Sequence, residues 1–319
     1  MPEALRAGWR SLQLLARPRA PEALPARLDR RRIYVLPTGF GLFVALLLAV
    51  MLLGALNYNN NPALLLALLL GAAGIASTIN AHLQLSGLRL EAVSAEPVPA
   101  GSPLKLRLTL ARGDNRSRRG LQVAHPGAEP VFAGLAQDDR TEVDLWLPTT
   151  QRGWLDLQRI RLSTTQPLGL ARAWGWLWPE APLLVYPQPE SAGPPLPESD
   201  GAPARTRAHP LGEELQQLRG YRAGDAPRTI SWKHSARRDT LLVREHERPL
   251  GVEVVLDWRT LANLPYERRI ARLARWVNEA EREGRRYRLN LPGNPVLGPG
   301  NGDAHRHLCL RALALLPHG

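Results

Sequence analysis

Two stretches early in the chain carry almost nothing but apolar side chains. Residues 39–56 contain no charged or strongly polar group, and about 18 residues at about 1.5 Å per residue reach roughly 27 Å, one hydrocarbon core. Residues 63–79 repeat the pattern after Asn57-Tyr58-Asn59-Asn60-Asn61-Pro62, a turn too polar for lipid and too short for a domain. The pattern predicts an antiparallel hairpin of membrane-spanning helices. Small residues recur every fourth position, at Gly41, Ala45 and Ala49 and at Ala63, Ala67 and Gly71. Such stripes would let the two helices pack closely in lipid.

After residue 82 the pattern changes to short alternating runs, as in Leu88-Arg89-Leu90-Glu91-Ala92-Val93 and Leu104-Lys105-Leu106-Arg107-Leu108-Thr109-Leu110. With further runs at 142–147, 155–162 and 183–186, they predict an antiparallel β-sandwich. Trp174, Trp176 and Trp178 fall at spacing two, on one side of a strand. They fit a core or sheet-edge cluster, or a contact with the membrane interface or a partner. Residues 187–210 are dense in Pro, Gly, Ser and Ala and read as an exposed linker.

Beyond it, residues 252–257 form a buried-strand candidate ending in Asp257. An amphipathic helix follows over 265–284, with Ile270, Leu273, Ala274, Val277 and Ala280 as its apolar face. Residues 287–291 form another strand, and Asp303 is positioned to cap a last helix with Leu308, Ala312, Leu315 and Leu316 on its apolar face. Alternating strand and helix predict a short, largely parallel α/β layer.

The expected organisation is therefore a basic leader at 1–38, a helical hairpin at 39–81 and a β-sandwich at 82–188. A linker at 189–210 and a motif-bearing α/β part at 211–319 complete it. Fold class is a membrane hairpin plus an α+β soluble part.

Charge orients the hairpin. Residues 1–38 hold eight arginines against Glu3, Glu22 and Asp29, while the inter-helix turn is uncharged, so the positive-inside rule places both termini and the soluble domains in the cytoplasm. A cleaved signal peptide is disfavoured by the long leader and the second span. The net charge of +12 comes almost wholly from arginine, since Lys105 and Lys233 are the two lysines. No basic run interleaved with aromatics points to nucleic acid. Cys309 is the single cysteine, which rules out an intrachain disulfide and suits a reducing compartment.

The most distinctive stretch is 212–247, GEELQQLRGYRAGDAPRTISWKHSARRDTLLVREHE. Its Arg219, Tyr221, Gly224-Asp225, Arg228, Ile230, Trp232-Lys233, Ser235-Ala236-Arg237, Leu-x-Val run and Glu245 resemble the signature of the family called domain of unknown function 58. Arg152-Gly153 and the turn Gln166-Pro167-Leu168-Gly169-Leu170 extend the resemblance over most of the chain. The resemblance implies a membrane-anchored protein of the bacterial inner membrane with a degenerate von Willebrand factor A-like domain. It also implies a MoxR-type AAA+ ATPase as partner, and no established reaction. Bottom-up, the same residues have structural work available as turn, ion pair and strand face. Alternatively, Arg219, Arg222, Arg228, Lys233, Arg237 and Arg238 form a basic surface for an acidic partner or lipid headgroups. The partner-binding candidates are Arg219, Tyr221, Arg222, Asp225, Arg228, Trp232, Lys233, Ser235, Arg237 and Glu245.

No catalytic, metal or cofactor site emerges. A von Willebrand A metal site needs Asp-x-Ser-x-Ser, and Asp257-Trp258-Arg259-Thr260-Leu261 has Arg and Leu at the hydroxyl positions. His234-Ser235 lacks a nucleophile elbow. His305 and His307 lack a third ligand and suit surface or capping roles. The glycine-rich 293–302 lacks the Lys and hydroxyl of a phosphate-binding loop. The leading expectation is a non-enzymatic, membrane-tethered interaction protein; the alternative is an enzyme using Asp225, Lys233 and Glu245.

Overall fold

The computed structural model describes residues 18, 20–135, 138–197, 207–208, 214–220, 242–248 and 253–317, with the short strands between 207 and 248 described by their backbone. The chain divides into two compact units, Met1–Tyr186 and Pro187–Gly319.

Two helices dominate the start of the first unit: α1 (Gly39–Asn57) and α2 (Asn61–Leu85). Both are long and apolar enough to cross a membrane. Thr38 caps α1 by accepting from the Gly41 N–H, and Asn60 caps α2 by accepting from the Ala63 N–H. Asn59 takes the left-handed conformation between them, φ 49°, which asparagine tolerates better than most residues. At about 1.5 Å per residue α2 is roughly 37 Å long, longer than a hydrocarbon core of about 30 Å. It therefore runs past the expected end at residue 79.

The expected small-residue stripe holds on α2, where Ala67 is buried and Ala63 and Gly71 half-buried. On α1 it does not hold: Ala45 and Ala49 are exposed, and the sheltered positions are Gly41, Val44, Leu48, Met51, Leu52, Gly54 and Ala55. Larger side chains serve there because α1 is apolar all round, so composition could not mark its packed face.

Strands from both sides of the hairpin build the sandwich. One sheet runs β1 (Ala26–Arg27), β3 (Leu88–Ala95), β5 (Leu104–Arg112), β8 (Arg140–Leu147). The other runs β2 (Tyr34–Pro37), β11 (Ala171–Leu177), β10 (Ile160–Thr164), β6 (Arg118–Ala124), β7 (Val131–Leu135). All of these neighbours are antiparallel. A third sheet joins β4 (Val98–Pro99), β12 (Pro182–Tyr186) and β9 (Gly153–Asp156). The alternation works as read on β5: Leu104, Leu106, Leu108 and Leu110 enter the core while Lys105, Arg107 and Thr109 stay out of it. Each buried leucine contributes about 2 kcal/mol of transfer free energy.

Three expectations are corrected here. The sandwich does not begin at residue 82, because the basic leader supplies β1 and β2, one to each sheet, and Leu28 between them is fully buried. The run 155–162 is not one strand, because Leu157 turns into the core between β9 and β10, which belong to different sheets. Trp178 lies beyond β11; its indole donates to the Leu157 carbonyl at 2.9 Å under the Arg159 guanidinium. Trp174 and Trp176 share a face, but at 2% and 7% exposure they do not face a bilayer. Trp174 stacks on Tyr34 at 5.9 Å.

In the second unit, β13 (Arg207–Ala208), β15 (Leu242–Arg248) and β14 (Glu214–Gly220) form an antiparallel sheet in that order. A separate layer contains β16 (Val254–Asp257), α3 (Tyr266–Arg282), β17 (Tyr287–Asn290), β18 (Leu297–Gly300) and α4 (Asp303–Ala314). All five expected apolar positions of α3 are buried, with Trp276 beside them. The pair β16–β17 is parallel, but β18 returns antiparallel through the glycine-rich segment, so the sheet is mixed. The buried face of α4 is Cys309, Leu310, Leu313 and Ala314; of the expected positions Leu316, just past the helix, is buried and Ala312 half-buried, while Leu308 and Leu315 are exposed. Asp303 is inside the helix; the Gly302 N–H at its start instead donates to the Glu281 carboxylate at 2.9 Å.

The expected linker begins as a strap. Glu190 pairs with Arg272 of α3 through both oxygens, its N–H donates to the Ala271 carbonyl at 3.1 Å, and the Trp276 indole donates to the Pro194 carbonyl at 3.1 Å. The Arg272 hydrogen bond holds the Glu190 carboxyl below the ordinary glutamate range. A lowered acid pKa stabilises the paired form above the ordinary value, and the contribution is lost as pH falls through the lowered one. Proteolysis within residues 187–197 should therefore rise below about pH 4, and Glu190→Gln should show the raised cleavage already at neutral pH. Limited digestion followed by mass mapping checks both.

Candidate functional site

The hairpin's foot is built from three pieces. The turn Gln166-Pro167-Leu168-Gly169-Leu170 lies where α1 begins: the Thr38 N–H donates to the Leu170 carbonyl at 2.8 Å and the Thr38 hydroxyl to the Gly169 carbonyl at 2.6 Å. Gly41 faces this turn so closely that any β-carbon would collide with the Leu170 carbonyl. The Leu170 side chain reaches Gly74 of α2, 3.6 Å from where a β-carbon would stand. One turn of the sandwich is thus wedged against both helices, and glycine is required because backbone meets backbone.

The second piece is the end of α2. Ala81 and Leu85 join the sandwich core, so the last turns of the helix are buried in protein. Its final carbonyls need donors there. Arg118, 1% exposed, donates to the Leu83 and Ser86 carbonyls, the latter at 2.8 Å, and pairs with Asp114 at 2.6 Å. A cation at this position also complements the negative end of the helix dipole. Burial lowers the Arg118 pKa while Asp114 offsets it, and arginine remains charged. The third piece is the Gln84 side-chain oxygen, which accepts from the Arg119 N–H at 3.3 Å.

Of the partner-binding candidates, two lie on described strands. Arg219 on β14 stands opposite Val243 of β15, and Glu245 on β15 opposite Gln217, two positions along the same ladder. Tyr221, Arg222, Asp225, Arg228, Trp232, Lys233, Ser235 and Arg237 lie outside the described residues. The strands β14 and β15 thus frame the segment 221–241 as the connection of an antiparallel pair.

The Asp257 loop sits beside a cavity of about 500 Å³ at the carboxyl ends of β16 and β17. Asp257 Oδ1 accepts from the Arg259 N–H at 2.8 Å and Oδ2 from the Asn290 amide at 3.3 Å. This carboxylate caps the short 3-10 turn Trp258–Leu261, whose Trp258 and Leu261 are buried. Leucine at the second hydroxyl position therefore does packing work. Among the described residues no three His, Cys, Asp or Glu side chains gather as a metal site.

His305 is neither a surface residue nor a cap. Its ring packs on Tyr287 with centroids 4.6 Å apart, and Nε2 lies 3.0 Å from the Tyr287 carbonyl and 3.6 Å from Cys309 Sγ. Burial pushes the Cys309 thiol up to about 12 and raises the Tyr287 phenol well above its ordinary value. A thiol held protonated in the core is a poor nucleophile.

Sequence reasoning missed Thr38, Arg118 and Glu190, and assigned Gly41 to helix–helix packing whereas it meets the Leu170 carbonyl. Thr38 just before an apolar run followed by glycine was a readable cap signal; Arg118, inside the polar run Asn115-Arg116-Ser117-Arg118-Arg119, carried none. Two outcomes follow for thermal unfolding of the detergent-solubilised protein. Gly41→Ala should cost about 1–3 kcal/mol through overpacking, whereas Gly54→Ala, with open space around it, should not destabilise. Arg118→Met should cost roughly 1–3 kcal/mol, because it leaves the Leu83 and Ser86 carbonyls without their donor. Compared with protein-family models, curated proteins and solved structures, the chain has no match.

Proposed function

We propose that the protein is a membrane-tethered, non-enzymatic adaptor of the bacterial inner membrane, whose cytoplasmic domains dock a MoxR-type AAA+ ATPase for assembly or maturation of other proteins. One observation carries the tethering half. Strand β2 enters α1 and strand β3 leaves α2, and both strands belong to one sandwich around a common core, so the two ends of the hairpin share a side of any bilayer it crosses. The arginine excess before α1 and the uncharged turn 57–62 support a cytoplasmic location for that side. The short layer of β16–β18 with α3 and α4, carrying Asp257 at the end of a parallel strand, is compatible with a shortened von Willebrand factor A-like layer. The signature segment framed by β14 and β15 supplies the docking surface in this reading.

Two measurements test it. A cysteine placed at Asn59, in a Cys309→Ser background, should react with an impermeant thiol reagent added outside spheroplasts, and one at exposed Arg140 should react only after lysis; the reverse pattern overturns the orientation. Full-length protein purified from its own membranes should bring the ATPase with it. Arg228→Ala with Lys233→Ala should lose the ATPase while retaining the wild-type unfolding temperature. Absence of the ATPase from the wild-type preparation sinks the docking reading.

A further inference from the structure

Two arginines stand directly opposite one another in the first sheet. Arg27 on β1 pairs in register with Arg89 on β3, and because Ala26 and Leu90 beside them enter the core, both point away from it. Like charges placed directly opposite on neighbouring strands destabilise a sheet. Arg89 Nε is buried without a hydrogen-bond partner, and the carboxylate beside Arg27 is Asp29, 3.6 Å away on the exposed surface.

Arg27 of this pair lines a groove of about 750 Å³ together with Arg30, Arg31, Arg116, Ser86, Gly87 and Gly113. The Arg89 guanidinium lies against Gly113, with Nε 3.3 Å from where a β-carbon would be. Two carboxylates also line the groove, Asp29 and Asp114; Asp114 is engaged by Arg118 at 2.6 Å and lies 3.9 Å from the Arg116 guanidinium. Arg30 and Arg31 are exposed and make no ion pair with a carboxylate among the described residues. The nearby carboxyl end of α2 would repel an anion, and the Arg118 guanidinium on its Leu83 and Ser86 carbonyls offsets that field.

We propose that this groove binds a phosphate-bearing anion, clamped by Arg27, Arg30, Arg31 and Arg116, with the Arg89 guanidinium beside Gly113 adding to the positive field. Guanidinium forks match the paired oxygens of a phosphate, and the space admits a diphosphate or a phosphorylated headgroup rather than a lone halide. Ser86 lies seven residues beyond Ile79, roughly 10 Å along α2, while the headgroup layer is about 5–8 Å thick. The phosphate therefore comes either from a lipid headgroup at the foot of the hairpin or from a soluble diphosphate. The site is independent of the docking reading.

The test uses full-length protein in phosphatidylcholine nanodiscs, titrated with inorganic pyrophosphate at constant ionic strength, with the unfolding temperature as readout. Arg30→Gln with Arg31→Gln removes two exposed guanidiniums that pair with no carboxylate among the described residues; Arg311→Gln is the control. Stabilisation by pyrophosphate that weakens about tenfold or more in apparent affinity in the double variant, with the control unchanged, establishes a soluble-phosphate site. No response to pyrophosphate, but stabilisation in phosphatidylglycerol nanodiscs that the double variant loses, establishes a headgroup site. Absence of both responses, or responses equal in the double variant and wild type, overturns the proposal.

Discussion

The first unit depends on how α2 ends. A helix that leaves an apolar environment and finishes inside protein must have its last carbonyls satisfied by protein donors, and here one guanidinium does it. Arg118 reaches the Leu83 and Ser86 carbonyls from the start of β6, with Asp114 holding it in place. Because Ala81 and Leu85 are part of the sandwich core, the helix and the sandwich cannot reorient separately without breaking that cap. The anchor is thus continuous with the domain it carries.

The same economy governs the foot of α1. Thr38 serves as helix cap through its hydroxyl oxygen and as donor to the 165–170 turn through its N–H and O–H. With Gly41 pressed on the Leu170 carbonyl and Gly74 near the Leu170 side chain, the turn spaces the two helices. A helical hairpin held at its base in this way cannot swing freely on the sandwich, because its first residues and its last turns are both fixed to it.

Charge is arranged unevenly around this foot. Arg32 is neutralised by Glu22 at 2.5–2.6 Å and Arg107 by Asp144 at 3.0 Å. In contrast, Arg27 and Arg89 oppose each other beside Arg30 and Arg31. In the same sheet Arg107, Arg112 and Arg140 close ion pairs across strands or to the adjoining turn, so the opposed pair marks a place where that sheet tolerates repulsion.

The sequence by itself determined what rests on local physics. A bilayer demands an uninterrupted apolar run and a polar turn, so the hairpin was legible to within a few residues except where α2 continues into the sandwich. The five-residue apolar face of α3 and the alternation of β5 were legible for the same reason, since each needs only its own periodicity. What tertiary structure decided is pairing between distant segments. Strands of two and four residues, β1 and β2, are too short for any period to show, and only their partners β3 and β11 make them strands. Neither Arg118 nor Glu190 differs in sequence from its exposed neighbours; each acquires its role from a helix end or a facing arginine supplied by another part of the chain. The opposition of Arg27 and Arg89 likewise exists only once β1 and β3 are in register. Of the signature positions, the strand frame at Arg219 and Glu245 is visible, and that frame too is set by the ladder between β14 and β15 rather than by the motif's own residues.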